Sequence, residues 1–190
     1  MSKTALVVVD VQRDFCEGGA LAAANTLSLL EPLKKFIENA KRKGVQVVYT
    51  QDWHPEDHSS FQANGGPWPV HCVAEQAGAE LMPPLRAETH DVVIHKGVGV
   101  AGAGYSGFDD TPLDKELRAK GVLHVGVAGI ATEYCVRATA LDAVQAKFET
   151  TLLTDLIRAV RDTDVPKALE EMKSAGVKLQ RAEEWLTGKG

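Results

Sequence analysis

Cysteine is scarce in this chain. Its 190 residues include three, Cys16, Cys72 and Cys135, an odd number at wide spacing, so neither a disulfide framework nor a four-cysteine zinc site is indicated. Positive charge is also in deficit: the 21 Lys and Arg residues face 26 Asp and Glu, for a formal charge of −5. Basic residues cluster only at Lys41-Arg-Lys43, which argues against nucleic acid or an anionic membrane surface as a partner. No apolar run approaches the length of a membrane span, and Met1-Ser-Lys-Thr leads straight into a strand-like run with no cleavable signal pattern. A cytoplasmic protein with a small-molecule substrate is the expectation. Internal repeats and low-complexity linkers are missing too, and the length suits a single domain over 1–190. The 44% hydrophobic and 25% charged residues are the composition of a globular chain.

What is present is an alternation of strand and helix. Ala5-Leu-Val-Val-Val9 is a continuous apolar run, the pattern of a strand buried on both faces. Leu29 to Lys43 has helical periodicity, and Gly44 is a natural C-cap. Val45 to Thr50 reads as a second strand and Asp91 to His95 as a third. A glycine-rich run follows from Gly97 to Gly107, then a short helix from Pro112 to Lys120. Gly121 to Val144 reads as strand, tight turn and helix, because the apolar spacing lengthens to four from Thr132 onward, through Val136, Ala140 and Val144. Thr150 to Asp155 is a further strand, Thr163 to Ala175 a helix capped by Thr163, and Val177 to Gln180 a last strand. This is the alternation of an α/β protein with a doubly wound parallel sheet. No Gly-x-Gly-x-x-Gly joins a strand to a helix, so a nucleotide site is not supported.

In such a sheet, ligands bind beyond the carboxyl ends of the strands. Asp10, Asp52 and Lys96 stand at three strand ends, and Cys135 one turn beyond a fourth. A thiol, a carboxylate and an ammonium brought together are the parts of an activated nucleophile. A helix start at Cys135 would favour thiolate over thiol. The alternatives are that Asp10 and Lys96 form a structural ion pair and that Cys135 is one more small buried residue. The irregular stretch from Trp53 to Thr89 is long for a compact domain, and its aromatics and histidines favour a functional role. Within it, Asp52-Trp-His54-Pro-Glu-Asp-His58 and the later His71 offer carboxylate and imidazole groups suited to zinc, iron or manganese. His90, His95 and His124 receive no role.

These motifs carry a resemblance. Asp10-Val-Gln-Arg-Asp-Phe-Cys-Glu-Gly-Gly19, Asp52-Trp-His54, Trp68-Pro-Val-His71-Cys, Lys96-Gly, Tyr105-Ser-Gly-Phe108 and Gly129-Ile-Ala-Thr-Glu-Tyr-Cys135-Val-Arg resemble the nicotinamidases, also called pyrazinamidases, of the isochorismatase-like cysteine hydrolases. The match runs from about Ala5 to Gln180 with its motifs in family order. It implies a six-stranded parallel sheet in a three-layer α/β/α arrangement and a catalytic triad of Asp10, Lys96 and Cys135. It implies a divalent metal, zinc in the first place with iron or manganese as alternatives, on Asp52, His54 and His71. An oxyanion hole would come from the backbone N–H groups of Ala131 and Cys135, with a cis peptide before Ala131. Phe15, Leu21, Trp68, Tyr105, Ile130 and Tyr134 match positions lining a ring pocket. The metal would bind the pyridine nitrogen and position the ring.

His58 matches a position that ligates metal in some relatives and not in others, and the position of Tyr134 holds histidine in some. The activity implied is hydrolysis of nicotinamide, and of pyrazinamide, to the carboxylate and ammonia through a cysteine thioester, in NAD salvage. An isochorismatase, which lacks the metal, or an amidase for N-carbamoyl compounds is the alternative within the superfamily. A metal-dependent binding protein without turnover is the alternative outside it. The sequence leaves a homo-oligomer open.

Overall fold

The structure, a computed structural model, describes residues 3–102 and 104–188; Met1, Ser2, Ala103 of the glycine-rich run, Lys189 and Gly190 lie outside the described residues. Six strands, β1 (Thr4–Val9), β2 (Gln46–Asp52), β3 (Val92–Lys96), β4 (His124–Ile130), β5 (Glu149–Arg158) and β6 (Lys178–Gln180), form one sheet. All neighbours are parallel, in the order β3-β2-β1-β4-β5-β6. The apolar run of β1 lies at the centre because it can be covered on both sides, and Ala5 through Val9 are all fully buried.

Successive residues of β1 feed two separate cores, as the two-residue strand period requires. Leu6 and Val8 pack with Leu29, Leu33 and Ile37 of helix α1 (Leu27–Arg42) and with Ala182 of α5 (Ala182–Thr187). Ala5, Val7 and Val9 pack with Leu113 and Leu117 of α2 (Leu113–Ala119), Ala140 of α3 (Arg137–Gln145) and Met172 of α4 (Val165–Ser174). The sheet is thus covered by α1 and α5 on one face and by α2, α3 and α4 on the other. Each fully buried Val, Leu or Met here contributes on the order of 1.5–3 kcal/mol through lost apolar contact with water.

Two elements differ from expectation. Helix α4 begins at Val165, with Pro166 in its first turn, after a short 3-10 turn over Asp162–Asp164, so Thr163 is not its cap. The fixed φ of proline suits a first helical turn, and the start moves there. Helix α5 has no counterpart in the sequence reading; it is six residues long, too short for a hydrophobic period to show. It holds its place by packing, since a Cβ on Gly126 of β4 would lie 2.6 Å from the Trp185 ring.

The strand order reverses between β1 and β4, so the crevice of the fold opens where Asp10 and the segment after Ile130 leave the sheet. The approach is close: Gly129 has φ +120°, and a Cβ there would stand 2.1 Å from the carbonyl oxygen of Val9. Only glycine fits that position.

Candidate active site

Three strand ends and one turn meet in this crevice. Asp10, the first residue past β1, turns the chain with φ +48°; Asp52 and Lys96 are the last residues of β2 and β3 and pair in register. Cys135 lies in a single π-helical turn, Thr132–Val136, between β4 and α3. The structure therefore brings together the four groups that the strand-end argument selects. The Lys96 ammonium, fully buried, stands 2.9 Å from Asp10 Oδ2 and 3.5 Å from Cys135 Sγ. It also donates to Asp52 Oδ1 and, at 2.9 Å, to the carbonyl of Gly104. Atoms of Asp10, Asp52 and Cys135 lie within 4.8 Å of one another. Asp10 is fixed from the other side by the Thr50 hydroxyl, which donates to Oδ1 at 2.6 Å.

Charge in this buried cluster is set by burial and by the Lys96 cation acting against it. Burial pushes the Cys135 thiol well above its ordinary pKa, against the opposing pull of Lys96. Cys135 thus lies in the first helical turn after β4, where the sequence reading puts it, and burial of its side chain acts against the thiolate-favouring field of that helix start. Burial also raises the Asp10 carboxyl, and Lys96 opposes it. At Asp52 burial acts the same way, but Lys96 and His54 together hold the carboxyl well below its usual range. Lys96 is held far above its ordinary value: burial disfavours its charge, and Asp10, Asp52 and Cys135 more than offset that.

Beside this cluster stand the histidines of the long segment. Asp52, His54 and His71 each offer a ligand atom, all within 4.8 Å of one another and all buried. Each imidazole is already oriented. His54 Nδ1 lies 2.9 Å from the carbonyl oxygen of Gly97, and His71 Nδ1 lies 2.7 Å from that of Pro69. A carbonyl only accepts, so each Nδ1 carries a proton, and this fixes each ring with its Nε2 turned toward Asp52. Those Nε2 atoms are 3.5 and 3.9 Å from Asp52 Oδ2. Gly97 makes room for this, since a Cβ there would stand 2.4 Å from the His54 ring. Burial lowers the pKa of His71, which keeps it neutral, the form that can ligate. The donor set fits a divalent ion: one carboxylate and two imidazoles, oriented in advance.

His58 is fully buried and stacks on His54, with ring centroids 4.1 Å apart. Its Nδ1 meets the Ser60 hydroxyl at 2.7 Å, and its Nε2 has no hydrogen-bond partner among the described residues. Burial brings its pKa down to about 4.

A cleft opens over Cys135. Its walls include Phe15, Leu21, Trp68, Tyr105, Ile130 and Tyr134, the residues the resemblance names, and Asp52, His54 and His71 edge it. The Trp68 indole donates to the Tyr105 hydroxyl at 3.0 Å and meets the Tyr134 ring edge-on at 5.1 Å between centroids, so these three rings brace one another. The peptide between Ile130 and Ala131 is cis, and Ala131 lines the cleft beside Cys135. Sequence reasoning missed Ser60 and Val160 as wall residues. Val160 follows β5, far along the chain from any motif, and is held there because the next residue, Arg161, donates its N–H to Glu133 Oε1 at 2.7 Å.

Known proteins are similar to this chain in sequence and fold. The nicotinamidase/pyrazinamidase of Mycobacterium tuberculosis is 41% identical over 92% of this chain and 97% of its own length. A crystal structure of the pyrazinamidase of Pyrococcus horikoshii in complex with zinc has 46% identity and a TM-score of 0.91, covering 95% of this chain and 99% of that one. PnC1 from L. infantum, in complex with nicotinate, has 38% identity and a TM-score of 0.86, covering 96% of each chain. On sequence and fold alike, with the family model of the isochorismatase domain matching residues 4–184, the chain belongs to the isochorismatase domain family.

Proposed function

We infer that this chain is a nicotinamidase: an amidohydrolase that converts nicotinamide, and pyrazinamide, to the carboxylate and ammonia. One observation carries the reading: Cys135, backed by the buried Lys96 ammonium that also holds Asp10, lines an aromatic cleft edged by three oriented side chains that could hold a metal ion. Near full-length likeness to nicotinamidases supports it.

In this mechanism Asp10 accepts the Sγ proton and the Cys135 sulfur attacks the carboxamide carbon. A base is needed because burial disfavours the thiolate. Lys96 stabilises the anionic forms of both partners. The tetrahedral oxygen is held by the backbone N–H groups of Ala131 and Cys135, each worth roughly 3 kcal/mol in comparable sites. Protonated Asp10 returns its proton to the departing ammonia. Water then cleaves the thioester, giving the carboxylate and restoring the thiol. Phe15, Leu21, Trp68, Tyr105, Ile130 and Tyr134 hold the flat ring so that its carboxamide reaches Cys135. Asp52, His54 and His71 would hold a divalent ion, which we propose to be zinc and which would supply Lewis acidity toward a ring nitrogen or water. Three buried free thiols fit a reducing compartment, and we place the enzyme in the cytoplasm.

The test is a substrate series with the zinc-loaded protein. Nicotinamide and pyrazinamide should be hydrolysed, and benzamide, the same size without the ring nitrogen, at least about tenfold less well, the order expected for one lost polar contact at a buried site. Chelation should abolish that preference. Equal turnover of benzamide and nicotinamide would remove the ring nitrogen from recognition.

A further inference from the structure

The segment that carries Asp10 has two more anchored side chains at alternate positions, Gln12 and Asp14, and neither has a role in the chemistry above. Gln12 is fully buried. All of its hydrogen bonds go to backbone: Nε2 donates to the carbonyls of Asp52 and Ala79, each at 2.8 Å, and Oε1 accepts from the Asp52 N–H at 2.8 Å. A single amide therefore holds both peptide groups that flank the Asp52 side chain. The geometry has a clear origin. The ladder between β1 and β2 ends at Val9 opposite Thr50, and the chain turns away at Asp10, so Asp52 has no strand partner on that side. The Gln12 amide supplies the donor and acceptor that a strand would have given.

Asp14 does the equivalent for the other ligand segment. Its Oδ2 accepts from the Cys72 N–H at 2.8 Å, the peptide group directly after His71. Cys72 has φ +46°, a left-handed backbone that a non-glycine residue holds only when fixed by its surroundings. Room for the carboxylate is built in, since a Cβ on Gly78 would lie 2.1 Å from Asp14 Oδ2.

We propose that Gln12 and Asp14 are positioning residues: they tie the segment bearing Asp10 to the two separate segments bearing Asp52 and His71, so that the metal ligands are set before an ion arrives. This rests on the reading of Asp52, His54 and His71 as ligands. Groups that orient ligands in this way are worth about 10- to 100-fold in metal affinity, whereas a role in stability alone would lower the unfolding temperature and leave the affinity unchanged.

The experiment is calorimetric titration of the chelator-stripped full chain with zinc chloride, with the unfolding midpoint measured for each protein. Gln12→Met keeps the bulk and removes all three hydrogen bonds; Asp14→Ala removes the acceptor, and Asp14→Asn restores one without the charge. Gln12→Met and Asp14→Ala should each bind zinc about 10- to 100-fold more weakly, and Asp14→Asn should recover most of the loss. If Gln12→Met does not fold, the Asp14 pair decides. A parent chain that takes up no zinc overturns the ligand reading and this inference with it. A parent that binds zinc, with folded variants that bind it equally well, overturns this inference alone.

Discussion

At the scale of single residues, the site is organised by one buried lysine. Lys96 touches both carboxylates and the sulfur, so each of those groups owes its charge state to it as well as to burial. The proposed base is Asp10, and its role can be isolated. Asp10→Asn keeps the shape and loses the proton acceptor, so turnover should fall by at least about 100-fold, the low end of what general acid–base catalysis supplies. Alkylation of Cys135 by iodoacetamide should slow with it; alkylation as fast as in the parent would show that Asp10 does not take the thiol proton. His58 is the residue whose place is most open to test. Its Nε2 lacks a partner, yet it falls outside the cluster formed by Asp52, His54 and His71. His71→Ala should therefore cost more zinc affinity than His58→Ala, measured by competition with a chelating dye, and equal losses would make His58 a fourth ligand.

At the scale of elements, the residues that set the site are held by groups far away in sequence. Helix α1, which covers one face of β1, begins at Leu27 without a side-chain cap from Thr26. Glu17, ten residues earlier, does the capping: its Oε2 accepts from the Leu27 N–H at 2.6 Å and from the Thr26 hydroxyl at 2.8 Å. The Leu27 N–H, and then the Thr26 hydroxyl, lower the Glu17 pKa below its ordinary value. A carboxyl with a depressed folded-state pKa gives stability that is present above its unfolded pKa and lost as pH falls through the folded one. Glu17→Gln should thus lower the unfolding temperature at pH 7, and the gap from the parent should close as pH falls through and below the usual carboxylate range. A gap that persists unchanged at pH 3 would mean that the charge of Glu17 does not cap the helix.

At the scale of the whole molecule, much of this was legible in the chain and some was not, for physical reasons. The run Ala5–Val9 declares a doubly buried strand by being apolar throughout, and the strand ends declare the crevice because a charge beyond a buried strand gains nothing unless it is used. Asp10, Asp52 and Lys96 could be found that way. The burial that pushes the Cys135 thiol up could not, since it depends on what packs around the turn. Val160 and the cap from Glu17 were invisible for a related reason: both depend on a backbone N–H donating to the carboxylate of a segment that no local pattern connects to it. The ligand set was half legible: Asp52 and His54 are neighbours on one strand end, while His71 arrives through a long loop whose course the sequence does not spell out. The ring pocket and the cis peptide before Ala131 were read from resemblance alone.

The central claim is that nicotinamide is hydrolysed at Cys135, and the most direct measurement is the release of ammonia and nicotinate from nicotinamide by the zinc-loaded protein beside its Cys135→Ala variant. The account predicts equal molar release of the two products by the parent. It predicts a folded variant with turnover reduced at least about 1,000-fold, because the covalent route is lost whole, and Cys16→Ala and Cys72→Ala proteins that still turn over. No release by the parent, or a Cys135→Ala variant within tenfold of it, would contradict the account.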